Sequence, residues 1–241
     1  MNMSDSPVEN RPSKLKRRLR IVALLTAALA LYIVISKLNM APATEGWVVD
    51  ADSGEPVEGV VVVAYWGMEK AWAWSVAPAG AIAVFEEVTD KDGYYRIPGW
   101  GPRLAKYSVR ESADPLIILF KNGYEPKFLS NMTAGGSGYN SSGALYRPSM
   151  WDGKTVELKR FGGDLPKQAN ALGVLGRSLE SYVVEYNCGW KKIPRMLLAL
   201  KEQRELMTAN KQLASFVYAG NIRTDEKLCG SPDSFFKEYK P

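Results

Sequence analysis

From Ile21 to Ile35 the chain reads IVALLTAALALYIVI, with no charge and with Thr26 and Tyr32 as its only polar side chains. A bilayer core of ~30 Å needs about 20 mostly apolar helical residues. Leu19 and Leu38 extend the run to that length if Ser36 and Lys37 snorkel. The run points to a membrane, and the alternative, a buried helix of a soluble protein, is disfavoured because no charge interrupts it. The flanks are asymmetric: Arg11, Lys14, Lys16, Arg17, Arg18 and Arg20 precede the run, and Lys37 alone follows closely. The positive-inside rule then keeps the N-terminus cytoplasmic and exports the rest. Two readings stand, an uncleaved signal-anchor and a signal peptide cleaved at Ala41-Pro42-Ala43. The 20-residue basic region and the polar gap before that site favour the anchor.

Charge and cysteine follow from this placement. Residues 1–20 hold six bases and two acids, and the other 221 residues hold 25 bases and 24 acids. The formal net charge of +5 therefore belongs to the tail. A nucleic-acid reader carries its charge on the folded surface, so no nucleic-acid partner is expected. Cys188 and Cys229 are the only cysteines. In an oxidising compartment such a pair reads as one disulfide, the alternative being two buried thiols.

From Gly46 to Phe161 the chain has the signature of short strands, β-branched and aromatic runs broken by Gly, Pro, Asp and Asn. Seven strands are expected: Gly46–Asp50, Gly59–Trp66, Val84–Thr89, Tyr94–Ile97, Leu116–Lys121, Tyr124–Leu129 and Lys154–Arg160. The second, GVVVVAYW, is apolar throughout and belongs in the middle of a core. The last alternates strictly, with Val156 and Leu158 inward.

Three stretches in this region resemble the carboxypeptidase regulatory-like domain. They are Gly46-x-Val48-x-Asp50 followed by Ser53-Gly54-x-Pro56-Val57-x-Gly59-Val60-x-Val62, then Thr89-Asp90-x-x-Gly93-x-Tyr95-x-Ile97, then Lys121-x-Gly123-Tyr124. The resemblance implies a prealbumin-like, Greek-key β-sandwich of seven strands over 46–161. It also implies an accessory role, because the family's zinc chemistry lies in a separate domain. A related branch builds an isopeptide from a first-strand lysine, and Gly46–Asp50 has none. Two segments depart from the compact pattern: an insertion at Gly67–Ile82, rich in Ala, Trp and Pro, and a Gly/Ser/Asn-rich loop over 130–150.

After Phe161 the apolar period changes from two to 3.6. Asp164 is a candidate N-cap, Leu172, Leu175, Leu179, Tyr182, Val183 and Tyr186 make one stripe, and Gly189 ends the helix. A second helix from about Pro194 carries Met196, Leu197, Leu200, Met207, Leu213 and Val217. Packing of both stripes on each other and on the sandwich is the expected use, with a partner groove as the alternative.

The chain contains no histidine. Ser-His-Asp and Cys-His nucleophiles, HExxH zinc sites and His-ligated metals are thereby excluded. Ser13-x-x-Lys16 has a nucleophile's spacing but lies in the basic tail. Glu86 and Glu87 are neighbours on a strand and point to opposite faces. No catalytic residue, cofactor or resident metal is expected, and the chain reads as a non-enzyme. Asp50, Asp52, Asp90 and Asp92 share a pole if the first four strands are successive antiparallel neighbours. They are low-ranking Ca²⁺ candidates, since Asp in turns needs no metal. At the other pole Trp72, Trp74, Trp100 and Arg103 are expected together, either capping the core or forming a partner-binding patch.

The expected architecture is mainly β with α. It comprises a basic cytoplasmic tail (1–20), a transmembrane signal-anchor (21–38), a linker (39–45), the sandwich (46–161) and a helical C-terminal region (162–241). The expected function is a non-catalytic, single-span protein of the inner membrane, its bulk periplasmic, binding an envelope protein or glycan or acting as a spacer. The alternative is an exported hydrolase or hydrolase accessory subunit without histidine chemistry.

Overall fold

The computed structural model describes residues 14–35, 38–109, 114–131, 146–162, 165–207 and 222–239. Helix α1, Lys14–Ile35, is the apolar run with the adjoining basic residues as its first two turns. None of its residues is buried against the rest of the chain. It is one N-terminal helix long and apolar enough to cross a membrane. Its bounds correct the expected 21–38. Lys, Arg and Leu are good helix formers, so the helix starts inside the tail. It stops short of Leu38 because that residue enters a sheet.

The expected linker at 39–45 is also corrected to strand. β1, Leu38–Ala41, pairs antiparallel with β6, Trp100–Leu104, with Leu38 opposite Leu104 and Asn39 opposite Arg103. Gly101 and Pro102 interrupt β6, so its sequence shows no strand pattern.

Two open sheets face each other. In the smaller, β2 (Thr44–Asp50) lies between β10 (Lys154–Leu158), to which it is parallel, and β5 (Tyr94–Ile97), to which it is antiparallel. The larger runs β4 (Ser75–Val88), β3 (Val61–Trp72), β8 (Leu116–Phe120), β9 (Lys127–Leu129). A two-residue strand, β7 (Ser108–Val109), pairs with β3 beyond β8. Among the described residues nine strands reach three residues or more, β1 and β6 being additional to the seven expected. The expected succession of neighbours is corrected too, since β2 and β3 lie in different sheets.

Burial explains why the two sheets read differently in sequence. β10 alternates because one face is covered: Val156 and Leu158 are buried, Thr155 and Glu157 exposed. β3 is apolar from Val61 to Met68 because both faces are covered. Val62, Ala64 and Trp66 meet Val48, Tyr95 and Ile97 of the small sheet. Val61, Val63 and Tyr65 meet the C-terminal helices through Leu172, Leu179 and Leu197. Each such side chain contributes about 1.5–3 kcal/mol by leaving water. At the turn before β5, a Cβ on Gly93 (φ +71) would run into the Val48 carbonyl oxygen. Only glycine lets the hairpin close onto β2 there.

The helical region begins with α2, Leu165–Leu179, which passes into one π turn at Glu180–Val184. The expected end at Gly189 is therefore corrected. Asn187 and Cys188 turn the chain in the left-handed region, a 3₁₀ turn covers Gly189–Lys192, and α3, Pro194–Met207, follows. Met196, Leu197, Leu200 and Met207 are buried on the sheet side. The positions of Asp164, Leu213 and Val217 lie outside the described residues. Two short helices, α4 (Glu226–Cys229) and α5 (Pro232–Glu238), complete the layer. Cys188 and Cys229 form a disulfide, Cα–Cα 5.4 Å, and Trp190 stacks edge-on against Phe235 beside it.

Candidate functional site

Past Trp66 the β3–β4 hairpin leaves the sandwich as a ribbon, joined by β7 at Met68 and Glu69 and two-stranded beyond. It ends with Trp72 opposite Ser75, leaving Ala73 and Trp74 as the turn. This segment is the expected irregular insertion Gly67–Ile82, and the structure corrects it to strand. Ala, Gly and Pro are poor strand formers, so the order comes from pairing across the ribbon and not from its own residues.

Two tyrosines from the π turn and its exit brace the ribbon's root. Tyr182 lies flat against Gly67, where a Cβ would come within 2.9 Å of the ring, and donates to Glu69 Oε1 at 3.1 Å. Tyr186 covers Gly80 and donates to the Pro78 carbonyl at 2.8 Å. Small residues at 67 and 80 let the rings seat, so helix and ribbon hold each other.

A cleft of about 470 Å³ opens between the ribbon and the 106–107 turn, lined by Lys70, Trp72, Pro78, Lys106 and Tyr107 among others. The Lys70 ammonium stands 4.0 Å from the centre of the Trp72 ring and 5.9 Å from that of Tyr107. Lys106 lies 5.4 Å from the Tyr107 ring centre. These are cation–π distances on an open surface. Trp74 is 98% exposed and Trp72 60%. Lys70, Lys106 and Tyr107 were not legible as a site. The Lys70-x-Trp72 alternation was the available signal, and it has meaning only once the segment is known to be strand.

The expected grouping of Trp72, Trp74, Trp100 and Arg103 is thereby divided. Trp100 is buried and meets the fully buried Trp66 edge-on at 5.3 Å, closing the core. Arg103 lies 5.5 Å from the Trp100 ring and donates to the Ile82 carbonyl at 3.1 Å. Capping and exposure both occur, on different tryptophans.

At the opposite pole the 51–57 and 90–93 turns do meet, through Val48 N–H to the Gly93 carbonyl and Val57 N–H to the Val48 carbonyl. Two of the four candidate carboxylates, those of Asp50 and Asp90, serve the turns, and Asp92 lies 3.9 Å from Lys91. Asp50 Oδ1 accepts from the backbone of Asp52 and Ser53, while Oδ2 accepts from the Tyr124 hydroxyl at 2.8 Å and pairs with Arg160 at 2.8 Å. The Tyr124 hydroxyl, then these amides, draw the Asp50 carboxyl down to about 2. Asp90 Oδ1 accepts from the amides of Asp92 and Tyr94. Among the described residues no three His, Cys, Asp or Glu side chains are grouped to hold a metal ion.

Glu86 and Glu87 part as strand neighbours should. Glu86 caps α3, accepting from the amides of Arg195 at 3.0 Å and Met196 at 2.8 Å. Burial pushes its carboxyl up to about 6 against the pull of those donors. Of the expected 130–150 loop, residues 132–145 lie outside the described residues. Its ends are pinned by buried polar groups that no sequence pattern announced: Asn131 bonds the carbonyls of Asp114 and Pro148, and Arg147 donates to Asn39 at 2.8 Å.

No family model matches the chain, and no curated protein matches it. Solved structures that match it include 3-chlorocatechol 1,2-dioxygenase from Rhodococcus opacus 1CP, at 14% identity over 51% of this chain and 61% of that one, TM-score 0.30. Catechol 1,2-dioxygenase from Acinetobacter sp. ADP1 matches at 12% identity over 52% and 54%, TM-score 0.30. The pilus 2b backbone protein of group B streptococcus matches at 16% identity over 53% and 43%, TM-score 0.26. The chain thus spans about half to three-fifths of the length of these dioxygenases. The expectation that the chain is not an enzyme is corrected by this finding, since dioxygenases stand among its matches. The physical gap in that expectation is plain: lacking histidine removes histidine chemistry and leaves carboxylate, tyrosine and lysine chemistry open. At these TM-scores the likeness assigns no activity.

Proposed function

We propose that the chain is a single-span protein of the plasma membrane, anchored by α1 with its N-terminus cytoplasmic and its folded body outside. There the body serves as a binding or spacer module for an envelope protein or glycan. The observation that carries this reading is β1. It begins three residues after α1 ends and is built into the fold through its ladder with β6, the Asn39–Arg147 bond and the bond from Arg147 N–H to the Met40 carbonyl. Cleavage after Ala43 would remove that strand and leave Arg147, 3% exposed, without Asn39. Losing such a buried partner costs about 1–3 kcal/mol. The fold therefore favours retention of the segment that a signal peptidase would discard. The Cys188–Cys229 disulfide is compatible with an oxidising compartment.

For the body, the same reading takes a prealbumin-like sandwich of the carboxypeptidase regulatory-like type. In support, Gly54, Gly93 and Gly123 of the motifs all adopt positive φ at turns, and Tyr95 and Ile97 are both buried.

The test is topology in cells expressing the full chain. Resistance to alkaline carbonate extraction, with digestion by protease added outside the plasma membrane, is expected. Release by carbonate, protection from the protease, or a mature N-terminus at Thr44 would overturn the anchor.

A further inference from the structure

The exposed ribbon lies at the same end of the body as Leu38, which pairs with Leu104 shortly before Lys106 and Tyr107 meet Lys70 and Trp72 in the cleft. Three Cα steps separate Ile35 from Leu38, at most about 11 Å, so Leu38 sits at the bilayer surface if α1 spans it. This inference rests on that reading. From Leu38 the chain runs through β1 and β2 to the 51–57 turn at the far pole, and β6, antiparallel to β1, runs back and ends at Leu104 opposite Leu38. The chain turns through 105–107 and returns as β7, antiparallel to β3 with Ser108 opposite Glu69. The 106–107 turn lies against the ribbon, with Tyr107 within 5.9 Å of Lys70 and Lys106 lining the same cleft as Trp72. β3 therefore heads towards the membrane. Its turn at Ala73-Trp74 follows Trp72, which lines the cleft with Lys106 and Tyr107, two and three residues past Leu104.

What projects there is unusual for a surface facing water. Trp74 is 98% exposed, Val76 62%, and Trp72 and Leu104 60% each. Lys70 and Lys106 stand beside them in the cleft. Tryptophan, tyrosine and lysine together have the composition of the headgroup layer, where indole rings settle and lysines meet phosphates. The hairpin pairs its own backbone up to Trp72–Ser75, so only side chains need enter that layer.

We propose that the β3–β4 ribbon is a second membrane contact: Trp72 and Trp74 insert into the headgroup layer of the membrane that α1 crosses, with Lys70 and Lys106 on anionic lipid phosphates. Bracing by Tyr182 and Tyr186 passes this contact to the helical layer, so the body holds a fixed tilt over the bilayer. The occupant of the aromatic surface is lipid, not a protein or glycan.

The experiment uses the full chain reconstituted into vesicles of phosphatidylcholine and phosphatidylglycerol, with and without lipid brominated near the headgroup. α1 contains no tryptophan, Trp66, Trp100 and Trp190 are buried in the body, Trp151 is half-buried, and Trp47, 38% exposed, lies on β2. Brominated lipid should quench wild-type fluorescence, and W72F/W74F should lose more than half of that quenching. K70Q/K106Q, which keeps both indoles, should show at least twofold less quenching and lose its dependence on phosphatidylglycerol. Flotation with the vesicles reports α1 separately. A chain that floats while its tryptophans stay unquenched overturns the ribbon contact and leaves the anchor standing, as does quenching unchanged by W72F/W74F. Failure to float overturns the anchor itself. In the floating, unquenched case, a crosslink to an envelope protein lost in W72F/W74F would show that the surface belongs to a protein.

Discussion

Glu86 is a carboxylate asked to do two opposed things. It satisfies the amides of Arg195 and Met196, which open α3 after Pro194, and it does so from a half-buried position on β4. Desolvation wins, raising its carboxyl from 4.5 to about 6. A group whose folded pKa is raised binds its proton more tightly when folded. Its contribution to stability is therefore fully present below the unfolded value and is lost as pH rises through 6. A shift of this size corresponds to about 2 kcal/mol, and solvent on the open side of the side chain reduces it to roughly 1–2 kcal/mol. Glu86→Gln keeps the shape, removes the charge and leaves one oxygen to accept. Urea unfolding of the detergent-solubilised full chain, followed by fluorescence between pH 4 and 7.5, should show wild type losing about 1–2 kcal/mol relative to E86Q across the range. Glu86→Ala, which removes the cap entirely, should cost about 0.5–2 kcal/mol near neutral pH. Parallel profiles for wild type and E86Q would refute the desolvation argument. A wild type that gains on E86Q with rising pH would show that the two amides and the helix dipole outweigh burial.

Replacing Cys188 and Cys229 by Ser should cost up to about 4 kcal/mol from loop closure over the separation of 41 residues, measured by denaturant unfolding. Trp100→Ala should cost about 3–5 kcal/mol because it uncaps Trp66, whereas Trp74→Ala in detergent should stay within about 0.5 kcal/mol; thermal melts separate the two. Asp50 is held at about 2, so its contribution is present above its ordinary pKa of 3.8 and disappears as pH falls through 2. Asp50→Asn should accordingly flatten that part of the acid limb of a pH-stability profile.

The features legible in the sequence were those with a local cause. The apolar run of α1, the turns at Gly54 and Gly93, the alternation of β10 and the stripes of α2 and α3 each follow from residue type and spacing within a few positions. A fully apolar β3 correctly placed that strand in the core. The two different layers covering it are a fact about distant segments. β1 and β6 were invisible because each is ordered by the other, and Gly101-Pro102 hides any period. The ribbon was hidden for the same reason: Ala77, Pro78 and Ala79 have no strand preference until β3 lies beside them. The division of the tryptophans could not be read locally either. Trp66, Trp72, Trp74 and Trp100 share one side-chain chemistry, and whether an indole is covered depends on which strand ends above it. Local composition sets what each segment prefers. Long-range pairing sets which preferences are met, and here it left two indoles uncovered beside the exit of the only apolar helix long enough to span a membrane among the described residues.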